Sequence, residues 1–391
     1  MNLLRDYQKT MLQDLYKAWK RNQSVMVQMP TGTGKTHLMA AVIQKALSVS
    51  PQGEGNGVLV VAHRRELIEQ ISQTLDAFGI EHGLIVSGKD TDYDQQVQVA
   101  SIQTLGKRIL PTGSSPKGRG GLAPDLVIID EAHHALADTY RMLWDKWPKA
   151  KFLGLTATPC RLNCAPFTDL FQKLLQSWTI QEFIDKGWLS DFDYISASPN
   201  SDALKQVRSL QKRGADGDYQ QKELALVMDV PESVEHLYNT YRQFADGKKG
   251  IVYAIDRQHA EHIAAYYKAQ GVRCAVIDCK TPADKRRRII EEYKACEAPE
   301  GAAGGILSVL VNVDVFSEGF DAPEVEFIQL ARPTLSLSKY LQQVGRGMRI
   351  SSGKDHVLIL DQVGLYQTFG LPTDERDWRA FFDGRAQSKG T

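Results

Sequence analysis

Short apolar runs rich in β-branched residues alternate with amphipathic segments along the whole chain. A first set comprises Val25–Gln28, Val58–Ala62, Val97–Ser101, Leu126–Ile129 and Phe152–Thr156. A second comprises Ile251–Ile255, Ala275–Asp278, Leu307–Val313, Val325–Leu330 and Val357–Leu360. Near-continuous apolar strands separated by helical segments are the pattern of parallel sheets covered on both faces, so the fold class expected is α/β. Between the two sets, from Thr179 to Glu235, the chain is polar with helical spacing. The organisation expected is a first domain over 1–190, a helical connecting region over 191–235, and a second domain with a short tail over 236–391. Gly- and Pro-rich stretches at Ser50–Gly57 and Pro111–Pro124 read as loops. Thr281-Pro-Ala-Asp284 reads as a helix start with Thr281 as N-cap, and the Lys285–Arg288 run after it as a solvated face.

Composition narrows the class. With 391 residues, 42% hydrophobic and 24% charged, the chain is neither disordered nor fibrous, and at ~100–200 residues per domain it holds two domains or three. Lys+Arg and Asp+Glu both total 47, which excludes a blanket polycation but allows a locally basic groove. Five cysteines, few and odd in number, fit a reducing cytoplasm, and Cys160 and Cys164 lack the second pair that a zinc site needs. The amphipathic, charged N-terminus has no signal-peptide core, and no run approaches the ~18 apolar residues of a membrane span. A cytoplasmic protein without a membrane partner is expected.

Met29-Pro-Thr-Gly-Thr-Gly-Lys-Thr36 carries the most specific chemistry, because it stands between a strand at Ser24–Gln28 and a helix at His37–Leu47. That context defines a phosphate-binding loop. Thr31, Gly32, Thr33 and Gly34 would wrap backbone N–H groups around phosphates, with the helix N-terminus adding favourable potential. Lys35 would reach the β- and γ-phosphates and the Thr36 hydroxyl would ligate Mg²⁺; Met29 replaces the usual first glycine. Asp130-Glu-Ala-His133 follows the run Leu126–Ile129, so both acids fall at a strand's C-terminal edge, where α/β proteins bind ligands. Asp130 suits Mg²⁺ through a water, which leaves Glu131 to orient and deprotonate an attacking water. ATP with Mg²⁺ is the expected pair of ligands.

With these residues in place, the chain resembles the superfamily 2 helicases. Leu4-Arg-Asp-Tyr-Gln8 is similar to their adenine-reading segment, which implies Arg5 and Gln8 at the base. Ala62–Leu67 resembles motif Ia, Val99–Thr104 motif Ib and Gly154-Leu-Thr-Ala-Thr-Pro159 motif III. Ile251–Arg257 resembles motif IV, Asn312–Pro323 motif V and Tyr340–Arg349 motif VI. The likeness runs from about Leu3 to Trp378. It implies two tandem RecA-like domains, each a mainly parallel sheet flanked by helices, with an ATP cleft between them.

Within the superfamily, Thr156-Ala-Thr158 and Gln343-Val-Gly-Arg346 differ from the SAT and HRIGR of DEAD-box RNA helicases. The short Pro333–Ser338 segment leaves no room for the long hairpin of DEAH-group RNA helicases. The sequence looks most like the bacterial and phage RadD/XPB-like group, which acts on DNA. The resemblance implies that Arg346 and Arg349 complete the γ-phosphate site, that Gly319 and Asp321 meet the ribose, and that His133 and Gln342 link to Thr156 and Thr158 for coupling. Arg64, Arg65, Gln103, Thr104, Arg257 and Ser317 are the nucleic-acid contacts it implies. His134 has no role there and reads as packing. The expected activity is an ATP-dependent helicase or translocase on duplex, forked or single-stranded DNA, working as a monomer with replication or repair partners. An RNA remodeller and a nucleotide-switched binding subunit remain as alternatives.

Overall fold

The apolar runs form strands because β-branched side chains pack on both faces of a covered sheet. The structure, a computed structural model, describes residues 4–49, 57–90, 92–108, 123–135, 138–196, 202–214, 216–295, 306–314 and 323–386. The chain divides into two compact units, Met1–Trp178 with Arg376–Ala386, and Thr179–Glu375 with the chain end.

The first unit carries β1 (Ser24–Gln28), β2 (Gly57–Ala62), β3 (Gly83–Ile85), β4 (Val97–Ser101), β5 (Pro124–Ile129), β6 (Lys151–Thr156) and β7 (Lys173–Gln176). They lie in the order β3-β4-β2-β5-β6-β1-β7, and every pairing is parallel. The amphipathic N-terminal segment is the helix Asp6–Trp19, which buries Tyr7, Met11, Leu15 and Trp19 along one stripe. Trp144 stacks on Phe152 with ring centroids 4.2 Å apart, which packs it against the core.

The second unit carries β8 (Asp191–Ser196), β9 (Gly250–Tyr253), β10 (Cys274–Ile277), β11 (Val309–Asn312), β12 (Phe327–Leu330) and β13 (His356–Asp361). Their order is β10-β11-β9-β12-β13-β8, again all parallel. β9, β11 and β12 are buried along their whole length. Each buried Val or Ile there contributes roughly 1.5–3 kcal/mol. Gly250 is needed at the start of β9 because a Cβ would overlap the Phe327 ring.

Three expectations change. The region 191–235 opens with β8, an edge strand paired along its length to β13, before the helices Asp202–Ser209 and Gln221–Met228. The tail does not stay with the second domain: Arg376–Ala386 belongs to the first unit, where Phe382 is fully buried in the core. The helix expected at Thr281 begins at Ala283 with Pro282 as N-cap, because the Thr281 hydroxyl donates back to Asp278 Oδ1 at 2.7 Å. Among the described residues no helix is long and apolar enough to cross a membrane.

Candidate active site

In the first unit the motif residues stand at the C-terminal ends of adjacent parallel strands. β1 pairs with β6 so that Gln28 lies opposite Thr156, and β5 pairs with β6 on its other side. Met29 N–H donates to Thr156 O at 3.0 Å, and the Gln28 amide donates to Ala157 O at 3.0 Å. The phosphate loop is therefore tied directly to motif III.

Gly32 and Gly34 take φ values of +86° and +82°, the left-handed region that glycine enters without penalty. Thr33 is buried and its hydroxyl donates to Pro30 O at 2.8 Å, while its carbonyl accepts from the Tyr7 hydroxyl at 2.7 Å. Lys35 Nζ donates to Met29 O at 3.3 Å, which keeps the ammonium folded over the loop, and Thr36 sits in the first turn of the helix Lys35–Val49. Gln8, expected at a base, lies against the loop. Its Nε2 donates to Thr33 O and Gly34 O at 3.3 and 3.1 Å, and its Oε1 accepts from Arg5 N–H at 2.9 Å. A Cβ on Gly34 would overlap Gln8 Nε2. In this arrangement the amide braces the loop's shape from the side of the N-terminal helix.

Asp130 and Glu131 are 6% and 7% exposed, and Glu131 takes φ 48° and ψ 52°. A left-handed non-glycine residue costs of order 1–2 kcal/mol and is found where function fixes the backbone. His133 follows in a short 3₁₀ turn; its Nδ1 is 3.0 Å from Thr156 Oγ1 and 3.4 Å from Glu131 Oε2. Thr158 N–H donates to the same Thr156 oxygen at 3.1 Å, so one hydroxyl joins motif II to motif III. Gly154 lets the turn approach, since a Cβ there would crowd Ala132 and Phe171. A hydroxyl at Thr36 and a buried carboxylate at Asp130 are hard oxygen donors of the kind Mg²⁺ accepts while keeping most of its waters. Among the described residues no cluster of three His, Cys, Asp or Glu forms a protein-only metal cage.

Sequence reasoning missed Arg161. Its Nε donates to His133 O at 3.3 Å and its Nη1 to Ala165 O and Pro166 O at 3.3 and 2.5 Å, with the guanidinium 3.5 Å from the Phe167 ring centre. Burial pushes its pKa down to about 9, against the pull of Asp169, and it stays charged at neutral pH. The returning tail supports it: Phe167 N–H donates to Phe382 O at 2.8 Å, and the two rings stack 6.1 Å apart. The signal was Arg161 itself, directly after Thr158-Pro-Cys.

The expected nucleic-acid residues separate into groups. Arg65 is exposed and pairs with Glu69 at 3.1 Å; Arg64 is half-buried and donates to His63 Nε2 at 3.3 Å. Gln103 is exposed and donates to His63 O at 3.0 Å, which binds motif Ib to motif Ia. Thr104 is a correction: only 8% exposed, it faces inward beside Leu105 and offers no surface to a strand. In the second unit Arg257 is exposed but engaged by Glu261 at 2.8 Å and Asp278 at 3.7 Å. Ser317, Gly319 and Asp321 lie outside the described residues.

Motif VI of the second unit forms the helix Leu337–Gly347, with Gln342 and Arg346 buried on it and Arg349 just past the C-cap at Met348. Burial raises the Tyr253 phenol, opposed by the charges of Arg346 and Arg349. Two supports of this helix were not legible. Asp218, fully buried, accepts from Thr334 Oγ1 and Leu335 N–H at 2.7 Å and from Lys339 Nζ at 3.0 Å. Lys354 donates to Pro323 O, Val325 O and Gly347 O at 2.9, 3.1 and 2.7 Å, and burial pushes its pKa down to about 8. Close packing of the helix on the sheet needs Gly347, where a Cβ would crowd Val357 and Ile328.

Comparison with known proteins agrees with both halves. The family described as "Type III restriction enzyme, res subunit" matches residues 2–161, and "Helicase conserved C-terminal domain" matches 232–351. A 51.5 kDa protein of a Lactococcus phage is 29% identical over 93% of this chain and 71% of its own length. A Saccharomyces cerevisiae protein bearing the name ATP-dependent helicase IRC3 is 30% identical over 93% of this chain, which spans only 52% of that protein. The DNA 3'-5' translocase XPB2 of Sulfurisphaera tokodaii is 22% identical over 91% of this chain and 80% of its own. A solved fragment named as the HsdR subunit of a type I restriction enzyme from Vibrio vulnificus shares the fold, with a TM-score of 0.66 at 21% identity, over 97% of this chain and 66% of that one. Two parallel α/β units, a glycine-lysine loop and an Asp-Glu-Ala-His turn in one of them, and these matches lead to one conclusion: the chain belongs to the superfamily 2 helicases, a family of ATP-hydrolysing enzymes that act on nucleic acids.

Proposed function

We propose that this chain is a DNA-stimulated ATPase that translocates on, or remodels, duplex or forked DNA. The observation that carries the reading is the path that starts at Glu131, whose Oε2 lies 3.4 Å from His133 Nδ1, and runs through the His133–Thr156 and Thr158–Thr156 hydrogen bonds, which ties the acidic turn to motif III and, through Met29, to the phosphate loop. Such a path is useful only if a change at the nucleotide must be passed on. Lys35 and the loop N–H groups hold the β- and γ-phosphates, and Glu131 orients the attacking water and accepts its proton. Thr36 and Asp130 would hold Mg²⁺, whose charge offsets that of the phosphates. Arg346 and Arg349 supply the remaining positive charge at the γ-phosphate, an effect worth roughly 10³–10⁵ in rate in comparable nucleotide hydrolases.

Arg64, Arg65 and Gln103 grip backbone phosphates, so binding is independent of sequence and weakens steeply with salt. DNA is favoured over RNA because the translocase relative is named for DNA and the matching N-terminal family for restriction enzymes. The four described cysteines are free thiols, which suits a reducing compartment such as the cytoplasm. ATPase rates measured without polynucleotide and with duplex, single-stranded and forked DNA and RNA test the proposal. Stimulation by DNA is expected. Stimulation by RNA alone would replace the DNA reading, and a rate indifferent to every polynucleotide would reduce the chain to a nucleotide switch.

A further inference from the structure

His134 stands outside every role assigned so far. Its side chain is exposed, yet it lies between two other imidazoles, with ring centroids 4.1 Å from His133 and 4.3 Å from His63. On one side His133 contacts Thr156 and Glu131 at the acidic turn. On the other, His63 precedes Arg64 and Arg65, accepts from Arg64 Nε at its own Nε2, and accepts from Gln103 Nε2 at its carbonyl. The three rings thus bridge the loop ends of β5 and β2, and Gln103 extends the bridge to the end of β4. An exposed ring does little for the fold, since surface substitutions away from special features are close to neutral. Its position between a buried catalytic-turn histidine and the motif Ia segment is therefore better explained by what passes through it.

We propose that His134 is a positioning residue that couples the acidic turn to the strand-gripping segment His63–Arg65. The inference rests on the proposed polynucleotide-stimulated activity and deepens it. When the turn bearing Asp130 and Glu131 shifts with the state of the nucleotide, the imidazole stack shifts Arg64 and Gln103. Conversely, phosphates gripped by that segment bias the turn, as coupling between two sites is reciprocal in binding free energy.

The test uses the full chain and compares wild type with His134→Ala, His134→Phe, His63→Ala and the His63→Ala/His134→Ala double variant. ATP affinity, the rate without polynucleotide, the DNA-stimulated rate and the melting temperature are read for each. In His134→Ala the stimulated rate should fall about tenfold, within the usual range of coupling between sites, while the unstimulated rate, ATP affinity and melting temperature stay as in wild type. His134→Phe, which keeps a flat ring, should restore stimulation, and the double variant should lose no more than either single one. Full stimulation in His134→Ala, an equal loss of both rates, additive losses in the double variant, or failure of His134→Phe to rescue would each overturn the coupling while leaving the proposed function intact. A wild-type rate unmoved by any polynucleotide would overturn both.

Discussion

His133 Nδ1 lies 3.0 Å from Thr156 Oγ1, and this contact joins the acid-bearing turn after β5 to the loop end of β6. The same hydroxyl accepts from Thr158 N–H, so the serine-sized oxygen, not the bulk of Thr156, carries the link. Thr156→Val keeps the shape and removes the oxygen. Loss of a hydrogen bond of about 1–1.5 kcal/mol corresponds to roughly a tenfold drop in DNA-stimulated turnover. Equilibrium ATP binding should be unchanged and Thr156→Ser should behave as wild type, both read by steady-state hydrolysis beside nucleotide titration.

Gly34 meets two separate demands, a φ of +82° and the close approach of Gln8 Nε2. Gly34→Ala introduces a left-handed alanine, at ~1–2 kcal/mol, and displaces the amide from the loop. Titration with a fluorescent ATP analogue should show affinity weakened by tenfold or more. Gln8→Ala, which removes the overlap, should partly restore it in the double variant.

The returning tail belongs to the first unit through Phe382 and Phe167. Phe382→Ala should destabilise that unit by ~3–5 kcal/mol, as truncation of a buried ring does. Denaturant unfolding followed by tryptophan fluorescence should show an earlier transition, with the unfolding of the second unit where it was. The support of Arg161 and His133 by Phe167 adds a second expectation, reduced turnover below the shifted transition.

Asp218 and Asp216 hold Lys339 at the start of the motif VI helix, but only Asp218 is buried. Asp218→Ala strands the Thr334 hydroxyl and the Leu335 N–H and leaves Lys339 only the exposed Asp216, a loss of about 3 kcal/mol. Burial raises the Asp216 carboxyl, but Lys339 and backbone N–H groups outweigh it and hold it below the usual carboxylate range. A depressed carboxylate stabilises the fold above its unfolded pKa of about 4, and that stability is lost as pH falls through the depressed value. Asp216→Asn should therefore differ from wild type slightly at pH 6, by under about 1 kcal/mol for so exposed a pair, and converge with it near about pH 2. Urea midpoints across that range check both statements.

What was legible in the sequence was local. The strand–loop–helix around Gly32–Thr36 and the acids after β5 announce themselves because their chemistry needs adjacent residues in fixed order. The apolar runs located the inner strands within a residue or two, since strands covered on both faces are continuously hydrophobic. β8 escaped because Asp191-Phe-Asp-Tyr-Ile-Ser196 alternates as a half-exposed edge strand and its partner β13 is far away in the chain. The roles of Arg161, Asp218, Lys354 and Phe382 depend on distant partners that no spacing encodes. Thr104 resembled its motif but turned inward, because the helix face decides exposure and the motif does not.

The proposed function gives Arg346 the task of supplying positive charge at the γ-phosphate, and Arg346→Ala tests it most directly. With saturating DNA, this variant should bind ATP as wild type does while its turnover falls by roughly 10³ or more, the scale of a missing arginine finger. Turnover within a few-fold of wild type, at unchanged ATP affinity, would contradict the claim.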